Sequence, residues 1–335
     1  MTLKNLKLTG LALLLVGGFA AFALAQIGGG GFGGGTFGGD PNGPGINGPG
    51  SGLGGGGRRA GGGGFGGGGG GGGGRGGRGG FGGTGSDRGE DGDYTNRHNV
   101  PVWDVDPAFK KDVFTFTRII YDSVNGPGLS GGRWYTDASQ SDYNISFRLA
   151  QMTSLKVNPN PTPMRLTDPH LADQPFIYML EVGRLLFSPQ EIVALRNYLL
   201  NGGFLMIDDH WGLNEQANFR QQITRVFPES QYAMKELSLD HPIFHCVFDL
   251  KALPQVPGIR AWGRTGLSYE RADDPVPHYR AIFDDHNRMM MIECANTDFG
   301  DGWEREGENI EYFKLYSEKQ AYPMMINIVF YAMTH

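Results

Sequence analysis

Residues 188–212 read SPQEIVALRNYLLNGGFLMIDDHWG: a capped helix, a glycine stop, and a short apolar run that ends in two acids. Ser188 and Glu191 stand three apart, so the serine side chain can accept the Glu191 N–H while the glutamate reaches back to Ser188. Pro189 suits the first helical position, whose N–H has no intrahelical partner. Asn201-Gly202-Gly203 ends the helix with residues that tolerate a left-handed turn. Residues 204–207 (FLMI) are then too few for a buried helix and show no polar alternation, which is how a strand covered on both faces reads. A helix feeding such a strand is the repeating unit of an α/β layer structure with a mainly parallel sheet.

The same pattern extends on both sides. Residues 114–121 (FTFTRIIY) alternate bulky and polar side chains as a strand, and residues 142–154 carry Ile145, Leu149 and Met152 at helical spacing. Residues 176–180 form a short apolar strand after a Pro- and Asp-rich loop, and residues 215–226 an amphipathic helix stopped by Pro228. Further on, residues 259–269, 279–283 and 289–293 read as strands, with Asp284-Asp285-His286-Asn287 as the turn between the last two. Residues 322–334 are apolar enough for helix or strand, and Pro323 suits a helix start.

Composition divides the chain. Of its 335 residues 57 are glycine, about 17% against about 7% in an ordinary soluble protein, and about two-thirds of them fall between Gly28 and Gly89. The tract has no Gly-X-Y period, which excludes collagen, and too few apolar residues to offset the entropy of ordering it. It reads as a disordered spacer over residues 26–92. Ahead of it, Lys4 and Lys7, the apolar residues 11–22 and Ala23-Leu24-Ala25 form a signal peptide with cleavage between Ala25 and Gln26. The mature protein is therefore expected to be exported, periplasmic or extracellular. A membrane partner would enter only through an uncleaved signal, whose apolar stretch is shorter than the roughly 20 residues of a span.

Residues 93–335 remain as one α/β domain. The signal and tract hold seven basic and four acidic residues of the chain's 29 and 35, so this domain carries about nine net negative charges. That excludes nucleic acid as the expected partner, despite the Arg75-Gly-Gly-Arg78 pattern in the tract. Cys246 and Cys294 either form one disulfide or stay as two buried thiols.

In open α/β sheets ligands bind at the carboxyl ends of the strands. Three successive strands run into acids there: Asp122, then Glu181 followed by Arg184, then Asp208-Asp209-His210-Trp211. Neighbouring strands would bring these together as a site for a hard cation, sugar hydroxyls or proton transfer, with His210 as acid/base and Asp208, Asp209 and His210 as candidate metal ligands. The alternative is that Asp208 and Asp209 cap a helix and bond loop amides. His241 and His245 stand four apart, as metal ligands on one helix face do, but Pro242 occupies the position where zincins need a glutamate. A short helix start with structural histidines explains the same residues. A third polar cluster, Glu293, Cys294, Asn296, Asp298, Asp301, Trp303, Glu304 and Arg305, follows a strand; Asp298 and Trp303 are its ligand-binding candidates. No phosphate-binding glycine loop and no Ser or Cys nucleophile elbow is present.

Seven motifs, Tyr121-Asp122-Ser123, Thr153-Ser154-Leu155-Lys156-Val157, the run from Asn201 to Asp209, Arg225-Val226-Phe227-Pro228, the run from Asp240 to His245, the run from Asn296 to Glu304 and the run from Asn327 to His335, together resemble the bacterial domain-of-unknown-function 4159 family across residues 110–335. The resemblance implies a three-layer, flavodoxin-like fold of the class I glutamine-amidotransferase-like group, which also holds trehalose-utilisation-like proteins. It supplies no catalytic residues to carry over, and the missing cysteine elbow argues against amidotransferase activity. The expectation is a non-catalytic or weakly catalytic module for a polar small molecule or envelope glycan, with no cofactor demanded by any motif. The alternative is a hydrolase-like enzyme dependent on these carboxylates and a divalent metal.

Overall fold

The computed structural model describes residues 94–109, 112–124, 126 and 133–335; the expected signal peptide and spacer lie outside them. Seven strands form one sheet: β1 (Thr117–Ile120), β2 (Thr162–Arg165), β3 (Phe176–Leu180), β4 (Phe204–Asp208), β5 (Lys235–Glu236), β6 (His278–Phe283) and β7 (Met289–Ala295), in the order β2-β1-β3-β4-β7-β6-β5. β1, β2, β3, β4 and β7 are parallel, and β6 and β5 extend the sheet antiparallel. Counted among themselves the parallel strands run 2-1-3-4-5, the doubly wound order whose switch point lies between the first and third.

Side chains alternate across the sheet. Phe176, Tyr178 and Leu180 of β3, with Phe204 and Met206 of β4, join a core that includes Ile145 and Leu149 of α1 (Gln140–Met152) and Met324, Met325 and Ile328 of α7 (Tyr322–Thr334). Ile177, Met179, Leu205 and Ile207 face the other way, onto Leu195 and Leu199 of α2 (Pro189–Leu200) and Phe219 and Ile223 of α3 (Gly212–Val226). Burial on both faces is what the continuous apolar runs of β3 and β4 express, and three layers result. The α2 start is the full capping box, with Ser188 accepting from Glu191 and Glu191 from Ser188.

Some expectations change. Residues 259–269 are not a strand: α4 (Ile259–Thr265) occupies them and ends at Gly266, which is left-handed at φ 71°. Trp262 packs its ring on Tyr312 and Tyr316, a helical-face contact that the Ile/Arg/Ala/Trp order disguises as alternation. Within the third polar cluster, a short helix α5 (Phe299–Glu304) replaces the expected loop. β2 lies inside the Pro-rich segment; Pro163 is tolerated because the strand is an edge. The chain ends as a helix: α6 (Ile310–Tyr312) passes through a π-helical stretch, Phe313–Ala321, into α7. Cys246 and Cys294 are free thiols, so the disulfide alternative gives way to separate cysteines in one apolar core. Among the described residues no helix is long and apolar enough to cross a membrane.

Candidate functional site

The carboxyl edge of the parallel strands is built by sharp turns. The first residue after β3, β4 and β7 is in each case left-handed: Glu181 at φ 52°, Asp209 at 46° and Asn296 at 57°. Non-glycine residues pay for that conformation, typically about 1 kcal/mol or more, and Asp and Asn bear it best. Backbone bonds lock the turns side by side: Glu181 N–H donates to the Asp209 carbonyl at 2.9 Å, and Asp209 N–H to the Thr297 carbonyl at 3.1 Å.

The loop after β1 is held by a different device. Arg118 of β1 is wholly buried and donates to the carbonyls of Trp134 (2.9 Å) and Thr136 (2.8 Å), to Ser141 Oγ, and to both oxygens of buried Asp142. Tyr94 hydroxyl donates to the same carboxylate. This clamp fixes the backbone that carries Arg133 and Asp137.

These turns surround a pocket of about 450 Å³. Arg133 and Asp137 come from the loop after β1, Glu181 and Arg184 from the β3 end, and Asp209 and Trp211 from the β4 end. Asp298 and Asp301 come from the β7 end, and Arg260, Arg264, Glu270 and Arg271 from the segment before β6. A larger cavity of about 1000 Å³ lies at the opposite, amino edge, beside Asp112, Lys156, Pro175 and Gly203. It lacks both the switch point and the clustered carboxylates, so the smaller pocket is the candidate site.

Of the residues singled out from the sequence, Glu181, Arg184, Asp209, Trp211 and Asp298 line this pocket. Asp122 does not; its carboxylate accepts from Arg165 at 3.2 Å. Asp208 is fully buried and its Oδ2 accepts from Tyr178 hydroxyl (2.9 Å) and from the Phe299 (3.0 Å) and Gly300 (3.2 Å) amides, so it caps α5. Burial still pushes its carboxyl up to about 7 against those hydrogen bonds. His210 is also fully buried, with Nε2 3.0 Å from Glu293 Oε1, and Glu293 is paired with Arg280 at 2.9 Å. His210 is thus no pocket acid/base, and Asp209 alone of the expected metal trio belongs to a carboxylate cluster.

Trp303 is a core residue stacked on Phe299. His241 accepts the Ile243 N–H at the short turn Pro242–Phe244, and His245 is bonded to Asp249 and the Leu239 carbonyl. Both histidines serve structure at positions outside the pocket lining.

Two carboxylate groups are close enough to hold a cation: Asp137, Asp209 and Asp298, and Asp137, Asp301 and Glu304, each with one oxygen per residue within 4.8 Å of the others. Burial, then repulsion from neighbouring acids, drives the carboxyls of Asp137, Asp209 and Asp298 well above the usual range. Glu181 is raised by burial despite its 2.7 Å bond to Arg133, and Glu304 is pushed up to about 7 by burial against the pull of Arg305. Trp211 Nε1 donates to Asp209 at 2.9 Å and fixes one face of that carboxylate.

Asp137 carries the largest role that the sequence concealed. It lies in a loop without periodicity, and its neighbours Asp209 and Asp298 come from the ends of β4 and β7.

Residues 115–333 match the family described as Domain of unknown function (DUF4159). The chain belongs to the DUF4159 family. No curated protein matches it significantly. In this DUF4159 member the matched region spans every strand named above, and the pocket is built wholly from family residues.

Proposed function

We propose that this DUF4159 protein is an exported module that binds a polar, hydroxyl-rich ligand, a carbohydrate or other envelope component, in the carboxyl-edge pocket. The observation that carries the reading is the convergence of Glu181, Asp209 and Asp298 from three strand ends in one open pocket. Its volume falls within the range of small-molecule sites, but its lining is dominated by carboxylates and guanidinium groups where drug-like sites are mostly apolar. Carboxylates accept from hydroxyl pairs and arginines donate to ring and hydroxyl oxygens. Among the described residues the lining holds no serine, cysteine or histidine, and Thr136 is its one hydroxyl side chain.

Titration calorimetry of the full chain with soluble peptidoglycan and polysaccharide fragments tests the reading. Binding that is lost in Glu181→Gln and Asp209→Ala is the expected result, and no heat with any fragment class would discard it. A second reading is a carboxylate-dependent hydrolase, supported by the closeness of Asp137, Asp209 and Asp298, whose carboxyls burial and neighbouring acids raise well above the usual range. Robust glycan turnover that disappears in Asp209→Ala would establish it over the binding module.

A further inference from the structure

We propose that the carboxylate cluster is a binuclear site for hard divalent cations, with Asp137 as the bridging ligand. The inference deepens the reading above by naming what the pocket floor holds, and it rests on that pocket without depending on the glycan.

Two donor sets share Asp137: Asp209 and Asp298 on one side, Asp301 and Glu304 on the other, each set within 4.8 Å. Oxygens that ligate one Ca²⁺ at 2.3–2.6 Å lie within about 5 Å of one another, so each set has the span of a single ion's shell. One carboxylate common to two such shells is the arrangement of two-metal sites, whose ions sit roughly 3.5–4 Å apart.

Independent of the spacing, Asp137 Oδ2 has no accessible surface and accepts no hydrogen bond. An acceptor left so is costly unless something positive meets it. Two glycines let the carboxylates converge: a Cβ on Gly300 would come 2.3 Å from Asp137 Oδ2, and one on Gly258 would come 2.7 Å from Glu270 Oε1, 3.1 Å from Asp301 Oδ2 and 3.2 Å from Asp298 Oδ2.

Among the described residues Arg305 pairs with Asp301 and Glu304, but no basic side chain pairs with Asp137, Asp209 or Asp298. The donors are all carboxylate oxygens, with no thiolate and no imidazole, which selects Ca²⁺, Mg²⁺ or Mn²⁺ over zinc or copper.

The test uses the full chain stripped with chelator and titrated with Mn²⁺, read by calorimetry and by electron paramagnetic resonance. The expected result is two Mn²⁺ per chain with a spin-coupled spectrum. Glu304→Gln and Asp209→Asn should each leave one uncoupled ion, and Asp137→Asn should weaken binding by more than about tenfold and abolish coupling. These variants remove buried like charge, so metal-free melting temperatures at or above the wild-type value verify that they fold. No Mn²⁺, Ca²⁺ or Mg²⁺ bound, or a single ion unaffected by Glu304→Gln, would overturn the proposal. Two coupled ions with no glycan binding uphold it while the glycan reading falls; glycan binding by a chain that takes up no cation does the opposite.

Discussion

Arg118 shows how one residue can govern a loop it does not belong to. Its guanidinium is buried with Asp142 and spends two further donors on the carbonyls of Trp134 and Thr136. Removing one member of a buried pair strands the other, which typically costs about 3–5 kcal/mol. Arg118→Met should therefore lower unfolding free energy in urea by about that amount, whereas Arg118→Met combined with Asp142→Leu should recover part of it. Glu293 gives a pH-resolved counterpart. Burial alone would raise its carboxyl, but His210 and Arg280 outweigh burial and hold it below the ordinary glutamate value. A depressed folded pKa stabilises above the unfolded value, about 4.3, and that stability is lost as pH falls through the folded pKa. Glu293→Gln should thus be less stable than wild type at pH 7, and thermal melts of the two should begin to converge below the ordinary glutamate value and meet once pH has fallen through the depressed folded one. At this scale Asp209 and Asp298 were legible because they directly follow strands or open a helix. Asp137 was not, because nothing local marks a loop residue whose neighbours are supplied by β4 and β7.

Among the elements, those with a complete local code were readable from sequence. α2 carries its own start in Ser188-Pro189-Gln190-Glu191, and β3 and β4 are apolar on both faces. Ser188→Ala removes the acceptor for the Glu191 N–H and should cost about 1 kcal/mol in chemical denaturation. α4 misled because its Ile/Arg/Ala/Trp run satisfies a strand's alternation as well as a helix's face, and the ring contacts of Trp262 that decide it are long-range. α5 was hidden for another reason. Its start has a local cap in Asp298, which accepts the Asp301 N–H, but Gly300 and Gly302 weaken the helical signal of its six residues, and its other cap, Asp208, lies far away in sequence.

At the scale of the whole molecule, the sequence divides into a glycine tract and a family region that holds the sheet. If the tract only connects, deleting residues 28–89 should leave the melting temperature of the protein nearly unchanged in calorimetry. A large loss would show that the tract packs onto the sheet. The larger pattern of the sheet was partly legible: alternation of strand and helix signals gave a parallel α/β layer, while strand order is a long-range property that no segment states by itself.

That order also sets a schedule. β4 pairs with β7 at the middle of the sheet, yet residues 209–288 are made between them. Until residue 295 has been synthesised, β4 presents an apolar edge with unpaired backbone groups, a template for association with other chains. A chain truncated after residue 288 should accumulate in the insoluble fraction, as sedimentation of a lysate would show. The pocket shares this timing, because Asp298 and Asp301 arrive directly after β7. An unfinished chain therefore lacks Asp298 and Asp301 from the pocket wall, and a complete wall reports that the sheet has closed.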